Sequence, residues 1–304
     1  MLDQLKIKNL TNILVNLFSK QRATKTQLVE LTGLSNSTVS SSVNSLLKLK
    51  LLVCNGMEDS IGGRRSAIYE INKDYGQFIG VDLFRNTIHI VITDCKSNKL
   101  NSFTYYLNKE VPVIDQLIQQ LQRAAESCVN LLGIGIGLSA EIKHEEQIVK
   151  SCAFYDWHNV NLKEIIERQF MVFTYIDHRA NGIAVRENLM GHGKHLNNIL
   201  CLHESAIDKA VLILSGKICR GELNCNGTID PKFLLKNLST IKQFVDVSHI
   251  LIGYCTEALE IETRQLVRLL RNQIICYPEA ENCIELGMAT VAEIEWFESI
   301  YFML

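Results

Sequence analysis

Proline is scarce, three residues in 304, and no low-complexity tract occurs; the composition excludes long disordered segments. The ten cysteines sit singly, with no Cys-x-x-Cys pair, and the nearest two, Cys219 and Cys225, lack a His or Cys partner at ligand spacing. That pattern excludes a zinc framework, so no metal site and no cofactor are expected. The cysteines are expected to be small buried apolar residues in a reducing compartment. No apolar run reaches bilayer length, and the opening Met1-Leu2-Asp3-Gln4-Leu5-Lys6 is no signal peptide. A cytoplasmic protein without membrane contact is expected.

Charge of one sign is also missing overall: 31 basic residues face 33 acidic ones, a net −2. The distribution is uneven, however. Through Asn72 there are nine basic and five acidic residues, a net +4, which leaves −6 for the remainder. A basic head on an acidic body suits a polyanion at one end.

What is present in the head is helical periodicity. Apolar residues spaced by three and four predict helices over Ile7 to Ser19, Lys25 to Thr32 and Asn36 to Lys48. Between the last two, Gly33 supplies a left-handed turn residue and Ser35 an N-cap, the tight turn of a helix-turn-helix. On the third helix Val39, Val43 and Leu46 share one face. Ser37, Ser41, Asn44 and Lys48 share the other. Short hydroxyl and amide side chains let a helix approach base edges and phosphates in a major groove. The candidate DNA-contacting set is Lys25, Thr26, Ser35, Asn36, Ser37, Thr38, Ser40, Ser41, Asn44 and Lys48. Strands are predicted at Leu51 to Cys54 and Ala67 to Ile71. Between them lies Gly62-Gly63-Arg64-Arg65, which would form the tip of a wing and add Arg64 and Arg65 to the set.

From Phe78 strands and helices alternate. Strands are predicted at Phe78 to Leu83, Thr87 to Thr93 and Ser102 to Leu107, then a helix over Val113 to Leu132 and a strand over Gly133 to Leu138. A weaker repeat follows, with strands at Met171 to Ile176, Asn198 to Leu202, Ala210 to Leu214 and Ile250 to Gly253. Two mixed α/β lobes with a cleft between them are expected.

The ordered motifs are the helix-turn-helix, Gly62-Gly63-Arg64-Arg65, Gly80-Val81-Asp82, Gly133-Ile134-Gly135-Ile136-Gly137 and Trp157 to Leu162. Ala180-Asn181, Glu187, Gly191 to Gly193 and Gly287-Met288-Ala289 follow. In this order they resemble the ROK family of repressors and sugar kinases, most densely in the first 95 or so residues. The resemblance implies an N-terminal winged helix-turn-helix on two actin/hexokinase-like (ribonuclease H-like) lobes. The expected divisions are 1–74 for the head, 75–180 for the first lobe and 181–304 for a truncated second lobe.

The resemblance also marks what kinase chemistry would need and this chain lacks. The first phosphate loop reads Asp82-Leu83-Phe84-Arg85-Asn86-Thr87, with side chains where phosphate needs bare backbone. The second, His203 to Lys209, has no glycine. At the family's catalytic Asp stands Arg179, which cannot accept a proton; Asp177 and His178 are the neighbouring alternatives. Thr228 occupies a sugar-holding Glu position, the zinc loop is missing with the chain running into a helix around Phe233 to Phe244, and Leu138-Ser139-Ala140 replaces a glycine turn. The candidate effector cleft comprises Trp157, His158, Asn159, Asp177, Arg179 and Asn181, with Glu187 read as structural and Trp157 as a packing anchor ahead of a helix.

A non-enzymatic regulator is expected, binding double-stranded DNA at an inverted repeat as a homodimer, with a sugar-like effector. A body that is only a dimerisation scaffold stays open, as does an active sugar kinase. The apolar segment from Met288 to Leu304 is expected to pack against the body or a second subunit.

Overall fold

Local chemistry sets the head. The computed structural model describes residues 2–57, 65–203, 210–220, 228–229, 237, 247–253, 274–277 and 283–300. Helix α1 (Leu2–Lys20) buries Leu10, Ile13, Leu14, Leu17 and Phe18. Strand β1 (Ala23–Thr24) leads into α2 (Lys25–Thr32), opened by a capping box. The Gln27 amide donates to Thr24 Oγ1 and the Thr24 amide to Gln27 Oε1. Gly33 closes α2 in the left-handed region, φ +68°, and its amide caps Val29 O at 2.9 Å. Ser35 then caps α3 (Asn36–Lys48), accepting from the Thr38 amide at 3.2 Å. Strands β2 (Leu52–Met57) and β3 (Ala67–Ile71) complete a sheet of order β1-β3-β2. This is a winged helix-turn-helix. The wing-tip residues Gly62, Gly63 and Arg64 lie outside the described residues.

The body holds two sheets of the same topology. In the first, β4 (Gln77–Phe84), β5 (Thr87–Asp94) and β6 (Lys99–Tyr106) run antiparallel, and β7 (Leu131–Leu138) and β11 (Phe173–His178) add parallel strands beyond β4, giving order β11-β7-β4-β5-β6. In the second, β12 (Ile199–His203), β13 (Ala210–Leu214) and β14 (Lys217–Ile218) repeat the antiparallel run, and β16 (His249–Gly253) and β17 (Ile274–Tyr277) repeat the parallel pair; β15 (Thr228–Ile229) also pairs with β13. A duplicated α/β unit of this kind is the actin/hexokinase-like arrangement.

Several elements depart from the sequence expectation. Helix α4 (Val113–Glu126) stops six residues short of Leu132, because Ser127 Oγ and the Ser127 amide both bond to Ala124 O and turn the chain. Leu131 and Leu132 then open β7 instead. Met171 is a left-handed C-cap of α5 (Leu162–Phe170), φ +55° and exposed, so β11 begins only at Phe173. A separate sheet of β8 (Glu141–Lys143), β9 (Ile148–Cys152) and β10 (Trp157–Val160) was not expected, and it places Trp157 on a strand. Cys95, Cys152 and Cys201 are buried as expected, but Cys54 and Cys219 are exposed. Of the expected helix over Phe233 to Phe244 only Asn237 is described, in helical conformation, and the loop Glu204 to Lys209 lies outside the described residues.

The last described helix, α7 (Cys283–Ser299), crosses α6 (Arg179–Leu189) and lies on the first sheet. Its approach is close: a Cβ on Gly80 of β4 would sit 1.8 Å from Glu285 O, and one on Gly135 of β7 would sit 2.0 Å from Met288 O. Beyond the sheet, Trp296 and Phe297 enter one apolar cluster with Leu14, Leu17 and Phe18 of the head. Thr11 Oγ1 donates to Phe297 O at 3.1 Å, and Phe18 meets Phe297 edge to face at 6.3 Å. Head and body therefore share a core. Among the described residues no helix is long and apolar enough to cross a membrane.

Candidate functional site

The first site is the outer surface of α3. Val39, Ser42, Val43 and Leu46 are buried against the head. Ser35, Asn36, Ser37, Ser41, Asn44 and Lys48 are exposed, and Thr38 and Ser40 are half-buried at the flanks. The first turn is stiffened by Ser35 Oγ, which hydrogen bonds with Ser37 Oγ at 2.9 Å and Thr38 Oγ1 at 2.8 Å. Lys25 sits over the Tyr69 ring at 5.7 Å, with its Nζ 3.5 Å from Asn44 Oδ1, so α2 contributes a cation beside the middle of α3. Thr26 is exposed on the same helix, and Arg65 is exposed at the foot of β3. The structure thus presents a short-chain polar face flanked by cations. Such a face offers hydrogen-bonding groups without bulk, and it can enter a groove of a nucleic acid.

The second site lies where β4, β11 and α6 meet. Asp82, near the end of β4, and Arg179, the first residue of α6, form a bidentate ion pair: Nε to Oδ1 at 2.9 Å and Nη2 to Oδ2 at 2.6 Å, both side chains buried. The guanidinium also lies 3.8 Å from the Phe84 ring centre. Phe84 in turn packs edge to face on Phe154 at 5.3 Å. Arg85 follows in the left-handed conformation, φ +54°, with its guanidinium 5.0 Å from the same ring. Two aromatics and two arginines fill the mouth of the β4–β5 hairpin. Glu285, at the start of α7, is pushed up to about 7 by burial, with Asp82 adding to the rise.

One residue back from His178, Asp177 is enclosed by donors. The His178 amide reaches its Oδ1 at 2.7 Å, Asn181 Nδ2 at 2.8 Å, and Arg220, beyond β14, binds it with both Nη atoms, the shorter contact being 2.5 Å. A carboxylate held by donors from β11, α6 and the segment beyond β14 is a brace between the sheets. His178 Nδ1 accepts from the Ala180 amide at 3.3 Å as the N-cap of α6.

The structure groups Asp177, Arg179 and Asn181 as one buried layer. It places Trp157, His158 and Asn159 elsewhere, on β10. Trp157 lines a groove with Tyr155 and the 109–114 segment, and that groove contains none of the three. His158 is exposed beside Asp156 at 3.4 Å, and Asn159 is exposed at φ +52°. Glu187 accepts from the His192 amide at 2.9 Å and pairs with its ring, closing the turn that carries Gly191 and Gly193. Sequence reasoning had Asp82 and Phe84 in view as parts of a failed phosphate loop but not as the partners of Arg179, and it missed Arg220. The usable signal was Arg179 itself at a position where the resemblance places a carboxylate, since a buried guanidinium requires a carboxylate partner.

A model of the ROK family matches residues 78–223. A xylose repressor from Bacillus spizizenii is 30% identical over 283 residues, covering 88% of this chain and 73% of that protein. The chain belongs to the ROK family. A ROK family transcriptional regulator described as a homolog of the E. coli MLC protein superposes with a TM-score of 0.74 over 99% of this chain and 98% of that one, at 13% identity. A ROK family glucokinase from Streptomyces griseus superposes with a TM-score of 0.56 over 71% of this chain and 99% of its own, at 14% identity. These likenesses show the fold. The chain spans between 58% and 73% of the length of the xylose repressors it matches, the lower figure for Caldicellulosiruptor bescii. Two glycines of the matched segment have a mechanical explanation here, since Gly80 and Gly135 admit the backbone of α7.

Proposed function

We propose that this ROK chain is a DNA-binding transcriptional regulator, a homodimeric repressor of carbohydrate-related genes whose kinase-like body is not catalytic. The observation that carries the reading is the α3 surface: an N-capped helix whose core face is buried and whose outer face, Ser37, Ser41, Asn44 and Lys48, is exposed, with Lys25 beside it. Two such helices related by a twofold axis would meet half-sites of an inverted repeat. The names of the xylose repressors support the same class.

The non-catalytic reading is supported by Arg179. It occupies the base position that the family resemblance assigns, a guanidinium has no acceptor to offer, and its donors are turned onto Asp82. Asp177 is likewise committed to Arg220 and Asn181. A body that serves as a dimerisation scaffold without an effector is favoured by this same closure.

The test is binding of the purified protein to DNA fragments from around its own gene across a salt series. Specific binding that weakens steeply with salt is expected, and it is expected to be lost when Ser37, Ser41 and Asn44 are all changed to alanine. A wild type that prefers no fragment over bulk DNA at any salt concentration would overturn the regulator reading. Turnover of ATP with any sugar would overturn the non-catalytic one.

A further inference from the structure

We propose that the cavity at the junction of α1, α6, α7 and the β13–β14 hairpin is a binding site for a small organic cation, a compact apolar body carrying a protonated amine. The cavity measures about 410 Å³, within the range of small-molecule pockets. It adjoins the buried layer through Asp177, which lines it, while Asp82, Arg179 and Asn181 do not.

Its chemistry is two-sided. Val15 of α1, Val185 and Leu189 of α6, Val291 of α7 and Ile218 of β14 form apolar walls from three units of the molecule. A ligand rich in hydroxyls would leave them unsatisfied against such walls. The polar end holds three carboxylates, Asp177, Glu295 and Glu298, against Lys217 and Arg220. Arg220 is paired with Asp177 and also acts on Glu295, so the cavity's polar end carries three carboxylates against two cations, a net negative balance. An anion would therefore meet Glu295 and Glu298 with the Arg220 charge already engaged.

Glu295 is the residue this balance singles out. The Tyr175 hydroxyl donates to its carboxylate, and that hydroxyl also hydrogen bonds with His144 Nδ1 at 3.3 Å. His144 contributes no compensating charge: burial lowers its pKa, and the Arg220 charge lowers it further. Burial, then repulsion from Glu298, pushes Glu295 up to about 7. A carboxylate that loses so much by ionising regains it when a cation arrives, and the amine's own desolvation is offset by the charge-assisted hydrogen bond. Because Val15 belongs to the head, an occupant touches the DNA-facing unit and both lobes at once. Occupancy should register on α1.

The experiment is calorimetric titration of the full chain with benzylamine, benzyl alcohol and benzoate, at a pH above the Glu295 value of about 7. Benzylamine is expected to bind, with the alcohol and benzoate at least about tenfold weaker, since only the amine brings charge to the carboxylates. Glu295→Gln is expected to weaken benzylamine about tenfold or more while the protein stays folded, and Val291→Phe to fill the cavity and abolish binding. Should V291F fail to fold, E295Q still decides. Benzylamine is also expected to slow amide exchange in α1, and benzyl alcohol to leave it unchanged. The proposal is overturned if benzylamine produces no saturable heat, if the alcohol or benzoate binds as well as the amine, if E295Q binds benzylamine like the wild type, or if α1 exchange does not respond. None of these readouts involves DNA, so their failure leaves the regulator reading standing, and the converse also holds.

Discussion

Arg179 behaves as a structural side chain, buried and paired with Asp82. Its guanidinium makes two hydrogen bonds to Asp82, both side chains buried, and lies against the half-buried Phe84 ring. Removing one member of a buried pair leaves the other's charge without its partner, which costs about 3–5 kcal/mol, whereas replacing both by apolar or neutral groups is often nearly neutral. Arg179→Met is therefore expected to lower the urea midpoint strongly, and Asp82→Asn combined with Arg179→Met to recover most of the loss. If the single variant unfolds at the wild-type urea concentration, the pair is not holding this layer together. The sequence alone revealed that Arg179 cannot be a base. That its charge is neutralised by Asp82, some hundred residues earlier in the chain, depended on the parallel registers that bring β4, β7 and β11 side by side.

At the scale of elements, α7 decides how the first lobe is built. The helix lies so close to β4 and β7 that Gly80 and Gly135 face its backbone carbonyls directly. Gly135→Ala would put a methyl carbon 2.0 Å from Met288 O, and relief requires lifting the helix off the sheet. A destabilisation of about 3 kcal/mol is expected, at the upper end of ordinary overpacking because the obstacle is backbone. Thermal unfolding of the variant checks it, and an unchanged melting temperature would mean that α7 does not seat as described. The Gly-Ile-Gly-Ile-Gly spacing was visible in the sequence as a strand, and that strand is present. The α2 and α3 boundaries were also legible, because Thr24, Gly33 and Ser35 cap locally and need no tertiary partner. The β8–β10 sheet was not legible: Glu141–Lys143 and Trp157–Val160 are three or four residues long and lack the alternation a strand needs to announce itself. The candidate cleft was half legible for the same reason, since Asp177, Arg179 and Asn181 share one strand-to-helix junction while Trp157, His158 and Asn159 ride on that unforeseen sheet.

For the molecule as a whole, the consequential feature is that the head is not strung on a linker. One apolar cluster runs from Leu10, Leu14 and Phe18 of α1 through Trp296, Phe297 and Ile300 to Phe78 and Val91 of the first sheet. Polar ties cross the same boundary: Ser19 Oγ donates to Leu189 O at 3.0 Å, and Lys96 pairs with Glu70 at 3.0 Å. The proposed regulator needs its body to bias the placement of α3, and a shared core transmits a shift of α7 to α1 without an intermediate hinge. Phe297 sits at the centre of that contact, 1% exposed and edge-on to Phe18. Truncating it to alanine removes a large buried ring and should cost about 3–5 kcal/mol. The pattern of the loss matters more than its size. With a shared core, Phe297→Ala is expected to raise amide exchange in α1 and in β4 by the same free energy, because the two open together. If α1 loosens while β4 keeps its protection, the head is a separate folding unit leaning on the body. A ligand or a lobe movement would then have to reach α3 through the polar ties of Thr11, Ser19 and Lys96.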